Sequence, residues 1–262
     1  MKKKNYIHLA IIAIILFILF IVVTTHCEGI STYKDTYIIF GDKVDQCKYQ
    51  VSFRYGLCHP FNSGVYFAYT QKSKWDIYDQ SSPFRETNYE PALFWERQNL
   101  FILDYLRVSP YQHRSNGCDG DRSRSLETGF IQMQMSYGKV INTGINFMAT
   151  WHYKVGSQNY DIKRYQGYCT TQLFLQLKGS GNYFDQEKIA VKGEWTAKSY
   201  WIQTDLTIRL LTKNIRPKIY IQWFYGTSEW LENYKEKTNS FRVGFIFTPE
   251  EMFGRNNLEE II

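Results

Sequence analysis

From about residue 45 onward, apolar and polar side chains alternate with a period of two in run after run. In 200–210 the even positions Tyr200, Ile202, Thr204, Leu206, Ile208 and Leu210 form one face, opposite Gln203, Asp205, Thr207 and Arg209. In 141–154, Ile141, Ile145, Phe147, Ala149, Trp151 and Tyr153 stand opposite Asn142, Asn146, Thr150, His152 and Lys154. Successive side chains of a strand leave the sheet on opposite sides, so each run predicts a strand with one apolar and one polar face. Further runs occupy 49–57, 65–71, 91–98, 100–111, 131–137, 173–177, 189–195, 219–225 and 241–247, with 36–40 as a twelfth candidate. Turn-like segments separate most of them, among them Gly64, Gly138 and Gly156-Ser157.

A soluble sandwich buries the apolar face of such strands. A transmembrane barrel gives that face to lipid and closes the charges inside. Export, strand length and the recurrence of Tyr, Trp and Phe near strand ends decide for the barrel. The mean hydropathy of −0.40 suits one, because every second residue meets a polar interior. The predicted fold is therefore all-β: a transmembrane antiparallel barrel of about twelve strands over 28–253, followed by a short extension at 254–262. Lys188, Lys192, Glu194, Asp205 and Arg209 would share its interior, and a barrel this small leaves no wide pore.

Export is read from residues 1–27. Lys2, Lys3 and Lys4 precede an apolar run over 7–23, and Thr25 and Cys27 suit a signal-peptide cut after Cys27. The run is also near the length of a short spanning helix, so an uncleaved anchor is the competing reading. The net charge of +6 is otherwise spread along the chain, which argues against nucleic acid and leaves room for anionic lipid. Cys47, Cys58, Cys118 and Cys169 show no Cys/His metal spacing, so zinc is not expected. At roughly 3.3 Å per residue, an extended strand puts Cys47 and Cys58 beyond disulfide reach.

The chemistry concentrates in Tyr111-Gln112-His113-Arg114-Ser115-Asn116-Gly117 and Ser123-Arg124-Ser125. On an extended segment His113 and Ser115 share a face, so a base and a nucleophile meet without help from distant sequence. On the lipid-facing side of a barrel, their substrate would be the membrane itself. One residue resists this reading. Leu103, Tyr105 and Tyr111 have the outward parity of His113, but so does Arg107. A bulge near Ser109-Pro110 would reconcile them. Of the other histidines, His59 is read as a turn residue and His152 as an interior one.

Residues 34–253 resemble bacterial outer-membrane phospholipase A. The similarity is most specific in Tyr69-Thr70-Gln71-Lys72-Ser73, in Ser81-Ser82-Pro83-Phe84-Arg85-Glu86-Thr87-Asn88-Tyr89-Glu90-Pro91 and in His113-x-Ser115-Asn116-Gly117. Ser123-Arg124-Ser125 and Tyr165-x-Gly167-Tyr168 add to it. The resemblance implies a barrel in the outer membrane of a Gram-negative bacterium. It also implies Ca2+-dependent hydrolysis of phospholipid and lysophospholipid acyl esters, activated by homodimerisation. Carried over, Ser115 is the nucleophile, His113 the general base and the Gly117 N–H an oxyanion donor. Calcium would be held by the Ser123 hydroxyl, the Cys118 carbonyl and Ser81 of the partner subunit. Asp119 and Asp121 would add negative potential, bind the ion themselves, or serve only loop solubility. Gln71 has the lipid-facing parity of Val65, Phe67 and Tyr69, and its amide would pair with its symmetry mate across the dimer.

The main departure lies at Glu127. The family's orienting asparagine falls there, preceded by Leu126 where the family carries tryptophan. As an ionised acceptor Glu127 would complete a Ser-His-Glu triad. As a solvated rim glutamate it would mark a weakened or inactive site, on a barrel with a structural or binding role. It shares parity with Gly129, Ile131, Met133, Met135 and Tyr137, the lipid side. At the edge of the wall a charge costs roughly 0–1 kcal/mol, against roughly 2–4 at the midplane. At the C-terminus Phe241, Val243, Phe245 and Phe247 alternate, and Phe253 would be the aromatic that assembly machinery reads.

Overall fold

Twelve antiparallel strands, counted among the described residues, close on themselves into a barrel. The computed structural model describes residues 30–42, 46–58, 62–178, 185–196, 198–208 and 218–247. The predicted signal peptide, His59, Arg209, Phe253 and the 254–262 extension lie outside these residues. The first half of the sheet comprises β1 (Ile30–Ser31), β2 (Thr36–Phe40), β3 (Cys47–Cys58), β4 (Ser63–Trp75), β5 (Phe84–Leu100), β6 (Leu103–Ser115) and β7 (Ser125–Tyr137). The second half comprises β8 (Ile141–Val155), β9 (Cys169–Lys178), β10 (Asp185–Trp195), β11 (Tyr200–Ile208), β12 (Lys218–Gly226) and β13 (Thr238–Phe247). Each strand from β2 to β13 pairs with its sequence neighbours, and β13 pairs back onto β2 to close the ring. The two residues of β1 pair with β3 beyond the end of β2. A tilted strand crosses a bilayer in about 9–11 residues, a length that β3 to β8 all exceed.

The faces are inverted relative to a soluble protein. Val51, Phe67, Leu93, Ile131, Met135, Leu173, Ile189, Val191, Phe241, Val243 and Phe245 are exposed on the outside. Lys48, Glu90, Glu96, Asn146, Gln203, Asp205, Gln222 and Arg242 are buried within. Buried charge is tolerable only when paired. Glu96 takes both Arg54, at 2.8 Å, and Arg107. Glu229 takes Lys48 at 2.9 Å and Arg242 at 2.7 Å, and Asp205 takes Lys192 at 3.1 Å. The expected interior placement of Lys192, Glu194 and Asp205 is thus observed.

One end of the barrel is capped from within. Leu126, Ile162, Leu231 and Tyr234 form a buried cluster with Val155 and Tyr165 packed against it. It joins the β8–β9 and β12–β13 connections to the start of β7. Some sequence expectations shift. The 100–111 run is not one strand: β5 continues to Leu100 and β6 starts at Leu103. Gly64, expected in a turn, is paired with Glu96 inside β4. Tyr105 faces the lumen, where its hydroxyl accepts from Asn146.

Candidate active site

The site forms where β6 ends and β7 begins, and a change of phase in β6 creates it. Up to Ser109 the odd residues face the lumen: Arg107 binds Glu96, and Ser109 is fully buried, donating to the carbonyl of Leu93 at 2.8 Å. Beyond it the odd residues face out. On the β5 side Val108 pairs with Trp95 and Tyr111 with Leu93; on the β7 side Ser109 pairs with Phe130 and Gln112 with Thr128. Each side fits one extra β6 residue, and Pro110 is the residue without a partner on both. Proline has no N–H to lose from the ladder, and one inserted residue moves every later side chain to the other face. The bulge expected near Ser109-Pro110 is therefore present, and it reconciles an inward Arg107 with an outward His113.

His113 and Ser115 stand on the outer wall, half-exposed. Between them Arg114 runs into the lumen, donating to Gln166 at 2.7 Å and Glu90 at 3.3 Å. Cross-strand neighbours share a face and lie within side-chain reach. Ser115 is flanked by Tyr89 on β5 and Ser125 on β7, and His113 lies directly opposite Glu127. Leu126 points inward and is 1% exposed in the capping cluster. Leu126 therefore fills the barrel mouth and does not stand on the outer wall beside His113 and Ser115. Among the described residues no hydrogen bond joins His113, Ser115 and Glu127; register and a common face bring them together.

A second phase change corrects the sequence reading of β8. Thr128 pairs with His152 but Glu127 pairs with Lys154, so an extra residue sits at Tyr153. Lys154, expected in the lumen, stands outside opposite Glu127. His152 does face inward, its ring set edge-on against Tyr168 at 5.2 Å between centroids.

The 116–124 connection carries the remaining candidates. Gly117 has φ +65, and a Cβ there would lie 2.7 Å from the Tyr89 ring. Glycine is thus required twice, by conformation and by space. Its N–H donates to nothing among the described residues. Cys118 and Ser123 lie on this connection. The Cys118 carbonyl and the Ser123 hydroxyl have no other partner among the described residues, and neutral oxygens of this kind suit a hard cation. Ser81 is exposed on the β4–β5 connection at the same end of the barrel. Among the described residues no three His, Cys, Asp or Glu side chains gather as a metal cage. Gln71 faces out as expected, but its amide has partners within its own chain. It accepts from the Tyr69 hydroxyl at 3.1 Å and donates to that of Tyr49 at 3.3 Å. It pairs with Tyr89, so it lies two strands from Ser115, roughly 10 Å away.

Two residues of the site had no role in the sequence reading. Tyr89 lies within the conspicuous 81–91 run, and Asn116 within the His-x-Ser-Asn-Gly motif. Motif membership was the only signal for either.

Comparison with known proteins bears on this geometry. A family profile described as phospholipase A1 matches residues 4–247. Phospholipase A1 of Salmonella typhimurium is 31% identical over 243 residues, covering 86% of this chain and 76% of that protein. Phospholipase A1 of Escherichia coli K12 is 32% identical over 226 residues, covering 80% of this chain and 71% of its own. Among solved structures, outer membrane phospholipase A from Escherichia coli superposes with a TM-score of 0.70 at 25% identity, over 83% of this chain and 91% of that one. The Salmonella typhi outer membrane phospholipase dimer with bound calcium also scores 0.70, at 24% identity over 83% of this chain and 91% of its own.

Proposed function

The chain belongs to the phospholipase A1 family, as an outer-membrane β-barrel phospholipase, and we infer that it hydrolyses phospholipid acyl esters at its outer wall through Ser115, His113 and Glu127. The observation that carries this reading is the phase change at Pro110, which sets Ser115 and His113 on the lipid-facing side, with His113 opposite Glu127. His113 takes the hydroxyl proton as the Ser115 oxygen attacks the acyl carbonyl, and returns it to the departing alcohol. Water then releases the acyl chain by the same proton relay in reverse order. The Glu127 carboxylate accepts the other ring N–H of His113, fixing the tautomer and stabilising the imidazolium. The Gly117 N–H, unengaged among the described residues, donates to the carbonyl oxygen as it gains charge.

Ser123 and the Cys118 carbonyl, with Ser81 of the partner subunit, would hold calcium. When bound, the cation supplies positive potential beside the developing oxyanion. Support comes from the neutral-oxygen donor set and from the calcium-bound dimer of the similar Salmonella typhi protein. Gln71 lies on the wall that two copies would share; its tyrosine partners leave one acceptor and one donor position for a mate.

Detergent-folded protein should release fatty acid from phospholipid mixed micelles when calcium is present. EDTA or Ser115→Ala should reduce release to background, and Glu127→Ala should lower kcat by about a hundredfold or more. Equal rates in all conditions would refute the enzymatic reading, and full activity in Glu127→Ala would remove Glu127 from it.

A further inference from the structure

Between the nucleophile and the oxyanion glycine sits Asn116, only 4% exposed at a rim where its neighbours are open. Both ends of its carboxamide are used. Oδ1 accepts the Arg124 N–H at 2.9 Å and the Cys118 N–H at 3.3 Å, while Nδ2 donates to the Arg122 carbonyl at 2.8 Å. Its own backbone N–H donates to the Arg124 carbonyl at 3.0 Å. The side chain therefore grips the peptide unit that follows Gly117 and the one that precedes Ser123. The second unit is held again through the Ser123 N–H, which donates to the Gly120 carbonyl at 3.0 Å.

We propose that Asn116 is the positioning residue of the 116–124 connection, fixing the Cys118 carbonyl and the Ser123 hydroxyl at one separation so that both can engage the same calcium ion. The inference rests on the calcium reading above and deepens it. Only a carboxamide of this length serves. It must accept two amide hydrogens on one atom and donate from another, which ionised aspartate and alanine cannot do and which serine, with a single oxygen on a shorter side chain, does not span. A second tie acts from outside: Arg122 forks onto Glu232 at 2.7 and 3.1 Å. That pair is exposed on the arginine side and contributes less.

The test uses the full chain in mixed micelles, with folding verified by the mobility of unheated samples in gels. Calcium is titrated calorimetrically into Ser115→Ala protein, in which no turnover intervenes. It is then titrated into the same protein carrying Asn116→Ala or Asn116→Gln. Glutamine keeps the chemistry and tolerates burial but places the amide one methylene too far, so it serves if alanine does not fold. Both should bind calcium about tenfold or more weakly. With Ser115 intact, the calcium concentration for half-maximal activity should rise while saturating calcium restores most of kcat in Asn116→Gln. Damage to folding alone would instead lower kcat at every calcium concentration. If the Ser115→Ala parent binds no calcium, the calcium reading fails and this inference with it. If the parent binds and both variants bind equally well, the inference alone is overturned.

Discussion

The inner and outer faces of β6 and β7 are built from alternate residues of the same strands, yet they treat polar groups in opposite ways. Inside, Arg107, Ser109, Gln112 and Arg114 all have partners: Glu96, the Leu93 carbonyl, Thr128, and Glu90 with Gln166. Outside, the side chains of His113, Ser115 and Glu127 carry no hydrogen bond among the described residues. A buried polar group left unpaired costs about 1–3 kcal/mol, more if charged, so the inner face is bound by its own stability. At the lipid edge the outer three remain free to meet a substrate. The inner face holds the fold together, and the outer face holds groups that the fold does not consume.

The boundary between the two regimes is Pro110, and deleting it is the most severe way to break the contrast. Without the inserted residue β6 must keep one phase throughout. Either His113 and Ser115 turn into the lumen, or Arg107 and Ser109 turn to lipid and leave Glu96 with one partner fewer. The first outcome should lower fatty acid release per folded molecule by at least about a thousandfold, and the second should instead lower the folded fraction on unheated gels. Normal activity and normal folding together would show that the bulge does not set the face. Pro110→Ala, which keeps the residue count, should stay close to the parent.

The inner face breaks differently. Glu96→Gln leaves Arg54 and Arg107, both largely buried, without their shared counter-charge. Loss of one member of a buried pair costs about 3–5 kcal/mol, read as a lower denaturant midpoint in detergent. Turnover per folded molecule should change little, because Glu96 pairs with Arg107, well before His113 and Ser115. A variant as stable as the parent would mean that the interior charges are hydrated and independent.

The alternation made the barrel legible, since residues such as Gln203, Asp205, Ile189 and Val191 announce their faces by period alone. That signal fails wherever the period slips. Pro110 was suspected because Arg107 conflicted with His113, two residues whose chemistry demands opposite sides. Tyr105 and Lys154 raised no such conflict, since tyrosine suits either face and a lysine inside a barrel is unremarkable; both were assigned to the wrong side. Asn116 escaped for another reason. Its three partners are backbone groups, which leave no pattern in side-chain identity. The tyrosine partners of Gln71 likewise depend on register across β3 and β4.

Lys154 offers the mildest and most local way to sharpen the contrast. The phase change at Tyr153 places its charge on the outer wall directly opposite Glu127, which in turn lies opposite His113. Opposite charges facing each other across a strand pair favour one another by about 0.2–1 kcal/mol, and like charges disfavour one another similarly. Lys154→Glu should therefore disturb the Glu127 carboxylate, which we propose orients His113, and lower activity several-fold. Lys154→Arg should keep it. Because both groups are near the headgroup level, the loss should shrink as ionic strength shortens the Debye length from about 10 Å at 0.1 M to about 3 Å at 1 M. A loss that salt leaves untouched would point to packing of the lysine stem, and equal activity in all three proteins would place Lys154 outside the reach of Glu127.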